Sequence, residues 1–429
     1  MVKTESEMLR IINGRVIDPI NGTDRVLNIE IEGEHIKRVK ETSFENDGTP
    51  EIDATGKYIL PGFCDVHVHF RDPGFTHKED IYTGAKAAVA GGYTDVVMMA
   101  NTKPAIDNPE TLEYVLKKGR ETDINVHACG TVTKGLAGLE LTDMAKLKEL
   151  GAIGFTDDGI PLMDEELLRK AFETAKKLDV PISLHEEDKT LIKQNGINHG
   201  TVSEKLGIYG SPKEAESSLI ARDVLLAMET GVKLNIQHIS TMEGVELVRN
   251  IKKKCDNVYA EVTPHHLALT ECAVLQYGVN AKMNPPLRTE SDRQAIIEGV
   301  KDGTISMLAT DHAPHAAEEK AKGLTEAPSG ITGLETAFSV AYDELVLKGY
   351  IGLKQLVEML TVNPRKLYGL EQVELKEGGR ADLVIADLNE NWVYDHTESK
   401  SKNTPFLGKS FTGKIKKTIC KGKVVYEDI

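Results

Sequence analysis

The chain has 429 residues, 40% of them hydrophobic and 28% charged, which is enough to bury one large core and a smaller one. A formal net charge of −15, with no basic run longer than Lys252 to Lys254, excludes a nucleic-acid surface, because phosphate binding needs concentrated Lys and Arg. The five cysteines (Cys64, Cys129, Cys255, Cys272, Cys420) are scattered and lack C-x-x-C spacing, which excludes a disulfide framework and a thiolate zinc site and leads us to expect a reducing cytoplasm.

The beginning, MVKTESEMLRIINGRVID, carries acids and no apolar core of signal-peptide length, and nowhere do 18 apolar residues run together. A soluble, unexported protein is expected. Residues 8–58 read as short strands, with LRIINGRVID and VLNIEIEGEHIKRV broken by PINGTD. The far end has the same texture in GGRADLVIADL (378–388) and KIKKTICKGKVVYE (414–427), so the two ends are expected to form one small β domain.

Between them, apolar runs at 62–69, 93–101, 124–132, 152–158, 181–186, 233–240, 257–264 and 305–311 alternate with amphipathic stretches. In DEELLRKAFETAKK, Asp164 opens a helix with Leu167, Leu168, Ala171, Phe172 and Ala175 on one face. In SPKEAESSLIARDVLLAMETG, Ser211 reads as N-cap, Pro212 as the first helical position, Glu214 as the capping-box partner and Gly231 as the stop. Eight strand-then-helix units predict an α/β fold, a (β/α)₈ TIM-type barrel over 59–368, in preference to a doubly wound sheet. Segments 1–58 and 369–429 then supply the small composite β domain.

In such a barrel the chemistry sits at the C-terminal ends of the strands, and polar residues gather there. The first run ends in HVHFR, the second in Asn101, the fourth in Asp157 and Asp158, the fifth in His185, the sixth in His238 and the eighth in Asp311, His312 and His315. In an extended strand His67 and His69 share one face, so both can grip one ion. Histidine and carboxylate ligands without thiolates suit Zn²⁺, and four histidines with two aspartates point to two ions sharing a bridging ligand. A hydroxide held between two metals implies hydrolysis, or its reversal, at a carbonyl. Arg71, two residues after His69, stays on that face and offers a bidentate grip on a carboxylate.

DVHVHFRDP (65–73) and ATDHAPHAAEEK (309–320) resemble, along their full length, the signature stretches of dihydroorotases within the amidohydrolase superfamily, and the resemblance spans almost the whole chain. It implies reversible cyclisation of N-carbamoyl-L-aspartate to L-dihydroorotate in pyrimidine synthesis, with two Zn²⁺ per subunit. By the resemblance, His67 and His69 bind one metal, His185 and His238 the other, and Asp311 both ligates and shuttles the proton. Many amidohydrolases bridge the metals with a carboxylated lysine after strand 4, but no lysine lies between Lys148 and Lys170. As in bacterial type I dihydroorotases, a carboxylate takes that place, and the resemblance alone favours Asp158 over Asp157.

The resemblance also adds Asn101 and His315 to the carboxylate pocket with Arg71, and Asn284 with the backbone near Ser329 and Gly330 for the ring. His265 and His266 are read as supporting or structural, His312 as shaping its loop, and the 312–330 loop as a candidate lid. His35, His77, His127, His199 and His396 receive no role. A homodimer and association with aspartate transcarbamoylase are the macromolecular partners considered, with no nucleic acid and no membrane. The alternatives are another cyclic amidase, of the allantoinase or dihydropyrimidinase type, and an inactive scaffold for the transcarbamoylase.

Overall fold

The computed structural model describes residues 8–428; the acidic residues 1–7, part of the stretch read above against export, lie outside it. The N-terminal strands are β1 (Met8–Asp18), β2 (Thr23–Glu32), β3 (His35–Lys40), β4 (Glu51–Asp53) and β5 (Tyr58–Pro61). Seven parallel-paired strands follow: β6 (Phe63–Val68), β7 (Tyr93–Met98), β8 (Asn125–Ala128), β9 (Ile182–Leu184), β10 (Leu234–Ile236), β11 (Val258–Val262) and β12 (Met307–Leu308). The chain ends with β13 (Leu383–Val393), β14 (Ser410–Cys420) and β15 (Lys423–Glu427).

Strands from both ends share one sheet in the order β15-β14-β13-β5-β1-β2-β3, with β4 beside β1. Its apolar core draws on Ile11, Leu27, Ile29 and Ile31 from one end and on Leu383, Ile385 and Ile419 from the other. The parallel strands form two sheets, β6-β7-β8 and β9-β10-β11-β12. Single parallel bridges join them at Gly130–Phe155, Phe155–Ile182 and Val68–His312.

Two local expectations need correction. The run at 152–158 forms no strand, because only Phe155 pairs on both sides before Asp157 and Asp158 turn away into contacts of their own. Ser211 is not an N-cap: its hydroxyl is buried and donates to Glu187, so the helix begins a turn later, at Glu214–Thr230, without a side-chain cap. The stop at Gly231 holds, in a left-handed conformation that glycine adopts without strain. Asp164 does cap Glu165–Leu178, accepting from the Leu167 amide at 3.0 Å, with Leu168, Ala171, Phe172 and Ala175 buried below it.

At the floor of the parallel strands Asp95 is buried between Arg365 (2.7 Å) and His127 (3.0 Å). Burial opposes its charge, yet Arg365, His127 and Arg380 hold its pKa below the usual carboxylate range. Arg365→Met should therefore cost about 3–5 kcal/mol of unfolding free energy, since it leaves a buried carboxylate without its main partner. Chemical denaturation at pH 7 measures this; a loss below about 1 kcal/mol would mean that His127 and Arg380 compensate Asp95 alone. No described helix is long and apolar enough to cross a membrane.

Candidate active site

The residues read from the strand ends meet in one place. His67, in β6, sets its Nδ1 2.6 Å from Glu261 Oε1, leaving Nε2 buried and without a hydrogen-bond partner. His69 sets Nδ1 3.0 Å from Asn101 Oδ1 and turns Nε2 to Asp311 Oδ1 at 3.0 Å and Asp158 Oδ2 at 3.4 Å. His185, just past β9, sets Nε2 3.1 Å from Glu187, so its Nδ1 faces His238 Nε2 at 3.0 Å and Asp158 Oδ1 at 3.6 Å. Asp158 Oδ1 lies 3.6 Å from His67 Nε2 and 3.8 Å from His238 Nε2, and it too is buried without a hydrogen bond.

Three overlapping groups of ligand atoms result, each within 4.8 Å: His67, His69 and Asp158; His67, His238 and Asp311; Asp158, His185 and His238. Asp158 thus stands among all four histidines. The unpartnered His67 Nε2 and Asp158 Oδ1, both buried and 3.6 Å apart amid three further histidines, fit a divalent cation centre. Asp157 is spent elsewhere, accepting from the Val132 amide at 2.7 Å and from the amide and hydroxyl of Thr133.

The electrostatics agree with the geometry. Burial opposes the charge of Asp158 and Asp311, but His67 and the neighbouring histidines hold both below the ordinary carboxylate range. Burial also opposes a charge on His67, and Glu261, Asp311 and Asp158 outweigh it, raising its pKa. Arg71, His238 and Asp311 all carry positive φ (58°, 33° and 48°), a conformation costing on the order of 1–3 kcal/mol each and concentrated here at the site.

A cavity of about 330 Å³ opens beside this centre, lined by Arg71, Asn101, Asn284, His315, Ser329 and Gly330 together with the candidate ligands His69, Asp158, His185, His238 and Asp311. Arg71 donates to the Pro314 carbonyl at 3.2 Å, and no described carboxylate lies within ion-pair distance of it. His315 Nε2 sits 2.8 Å from the Ser329 carbonyl; burial, then Arg71 and Lys78, push its pKa down to about 2, so it is neutral. Asn284 Oδ1 is buried and unpaired. Asn101 lines the cavity, but its amide is engaged at both ends, by His69 and by Asp158 Oδ2 at 3.2 Å. At Gly330, φ +117°, a Cβ would fall 2.6 Å from that of Ala313, so glycine is required.

Other histidines keep structural posts. His265 is buried and its pKa falls to about 4, chiefly through burial, while His266 is held between Thr263 and the carbonyls of Pro285 and Pro286. His312 is gripped by the Gly333 amide at 3.2 Å and lies 3.4 Å from Glu79. The sequence reading missed Glu261 and Glu187, the carboxylates that orient His67 and His185, a role typical of partners behind metal-binding histidines. The signal for Glu261 was a single acid inside the apolar run VYAEV, a parallel strand that is almost wholly buried.

Comparison with solved structures gives the same architecture. L-Hydantoinase (dihydropyrimidinase) from Arthrobacter aurescens superposes with a TM-score of 0.87 at 25% identity, covering 98% of this chain and 96% of that one. Dihydropyrimidinase from Brevibacillus agri NCHU1002 gives 0.85 at 22% identity, covering 98% and 95%, and speaks to the fold alone. Fold and site together define an enzyme of the cyclic amidohydrolase class.

A family model described as dihydro-orotase-like matches residues 56–244. Dihydroorotase of Clostridium acetobutylicum is 49% identical over 423 residues, 98% of this chain and 100% of the relative, and that of Lactococcus lactis is 48% identical over 421 residues, 98% and 99%. The chain belongs to the dihydroorotase family.

Proposed function

We propose that the protein is a dihydroorotase interconverting N-carbamoyl-L-aspartate and L-dihydroorotate in pyrimidine synthesis. The observation that carries the reading is the convergence of four histidines and two aspartates beside an arginine with no carboxylate in ion-pair contact among the described residues. In the same reading β6–β12, with Phe155 in the fourth place, close as a (β/α)₈ barrel over 59–368, and 1–58 with 369–429 make the composite β domain. His67 and His69 would hold one Zn²⁺ and His185 and His238 a second, with Asp158, which stands among all four histidines, shared between the two sets and Asp311 as a further ligand. When bound, the ions supply Lewis acidity and an activated water.

The chain's own groups do the rest. Asp311 Oδ1 faces His69 and His67, while Oδ2 makes no hydrogen bond among the described residues and is free to take a proton and return it to the ring nitrogen. Arg71, with His315 and Asn101 beside it, receives the carboxylate that substrate and product share, and Asn284 with the Ser329–Gly330 backbone holds the ring. The hydantoinase-type alternative is disfavoured by the carboxylate at 158 where no lysine stands. The inactive-scaffold alternative is disfavoured by the presence of every expected ligand residue. A cytoplasmic location rests on the scattered cysteines, and a homodimer and a transcarbamoylase complex rest on the family resemblance.

Ultraviolet assay of dihydroorotate ring opening, beside allantoin and dihydrouracil, tests the assignment. Turnover of dihydroorotate alone, abolished by chelation, is the expected result; full activity in a preparation shown to be metal-free would sink it. Lower pH should shift the equilibrium toward dihydroorotate, because ring closure consumes a proton. The choice of bridging residue is tested separately: Asp158→Ala should bind less metal than Asp157→Ala, and reconstitution of the apo-protein should need no bicarbonate. The reverse ranking by metal analysis would transfer the role to Asp157.

A further inference from the structure

The loop that brings Ser329 and Gly330 to the cavity is gripped from behind by two buried lysines. Lys320 is 5% exposed and Lys282 2%. Lys320 Nζ donates to the carbonyls of Pro328 (2.9 Å) and Gly330 (3.1 Å), and Lys282 Nζ to those of Ala327 (2.6 Å) and Thr325 (3.3 Å). Four carbonyls of one six-residue segment are thus turned onto two ammonium groups. Neither lysine has a carboxylate within ion-pair distance among the described residues, and neither has Arg71. Two buried ammonium groups and a half-buried guanidinium, none with a carboxylate in ion-pair contact among the described residues, favour the arrival of an anion.

The orientation of the backbone follows from peptide planarity. In a trans peptide the carbonyl and the amide of one unit point opposite ways, so fixing the Pro328 carbonyl on Lys320 turns the Ser329 N–H away from it. That N–H has no partner among the described residues, whereas the Gly330 N–H is spent on the Lys282 carbonyl at 2.8 Å. Ser329 lines the cavity.

We propose that Lys320 and Lys282 are positioning residues that set affinity for anionic substrates, locking the 325–330 segment with the Ser329 amide free to donate and, with Arg71, making that side of the cavity electropositive. This rests on the function proposed above. Burial, then Lys282, lowers the Lys320 pKa to about 7; the other charged or titratable groups around it include Lys78 with its partner Glu319, Arg71 and His315, and, along the neighbouring cavity, His77, Glu318, Lys400 and Lys402. An arriving carboxylate favours the charged form of Lys320.

Steady-state kinetics at pH 6.5 on the metal-loaded protein test the proposal. Lys320→Met should raise KM for dihydroorotate at least tenfold while kcat changes less than threefold and metal content stays at the wild-type level, a split that a merely destabilising change would not produce. If that variant fails to fold, Lys320→Gln, whose amide can still donate to a carbonyl but carries no charge, should still raise KM, through the lost charge. An unchanged KM in either folded variant overturns the proposal. Absence of dihydroorotate turnover in the unaltered protein would instead overturn the proposed function.

Discussion

Asp311→Asn is expected to lower kcat for dihydroorotate by about 10² to 10⁴-fold, the range that general acid–base catalysis contributes. Asparagine keeps the shape of the side chain and one oxygen to face His69 Nε2, which lies 3.0 Å from Asp311 Oδ1. It cannot carry the proton from the attacking water to the leaving nitrogen. The variant must be shown to be folded and metal-loaded, because Asp311 also belongs to one of the ligand groups. Near-normal turnover in such a preparation would place the proton shuttle on another residue.

The second large effect concerns selection of substrate. Arg71→Met keeps most of the apolar stem, removes the guanidinium and leaves the ligand set intact, since among the described residues the guanidinium hydrogen-bonds to Pro314 and His315 and to no candidate ligand. Losing a buried, charge-assisted contact to a carboxylate costs about 2–5 kcal/mol, so kcat/KM for dihydroorotate should fall roughly 30- to 4,000-fold. Dihydrouracil lacks the carboxylate, and a site built around polar groups rejects such an analogue by about 10⁴-fold or more. The preference of the variant for dihydroorotate over dihydrouracil should therefore shrink. Wild-type kcat/KM, or loss of metal, in Arg71→Met would mean that the carboxylate is held elsewhere.

How much of this was legible depended on whether a residue's role is local. His67 and His69 announce themselves because a period of two directs both to one side as β6 ends at Val68, and Asp164 because a cap acts within its own turn. The sequence left Asp157 and Asp158 open, and no local rule could separate them: the difference lies in Val132 and Thr133, more than 20 residues away, which claim Asp157 and leave Asp158 to the histidines. Ser211 misled for the same reason. Its capping chemistry is sound in isolation, but Glu187, 24 residues earlier, takes its hydroxyl. Glu261 stayed hidden because a lone acid in an apolar strand gains meaning only when His67, 194 residues away, is brought to it.

The sheet that joins the two ends also fixes an order of events during synthesis. Strand β5 pairs with β1 on one side, but its other edge is completed only by β13, where Leu60 meets Val384. That partner lies about 320 residues further along, which at ribosomal rates of about 5–20 residues per second is a wait of roughly 16 to 65 s. Throughout it Ile59 and Leu60, fully buried in the finished molecule, belong to a strand with an open edge, the kind of template on which nascent chains pair with one another. The half-made protein is therefore exposed to aggregation at these early strands until β13 has left the ribosome.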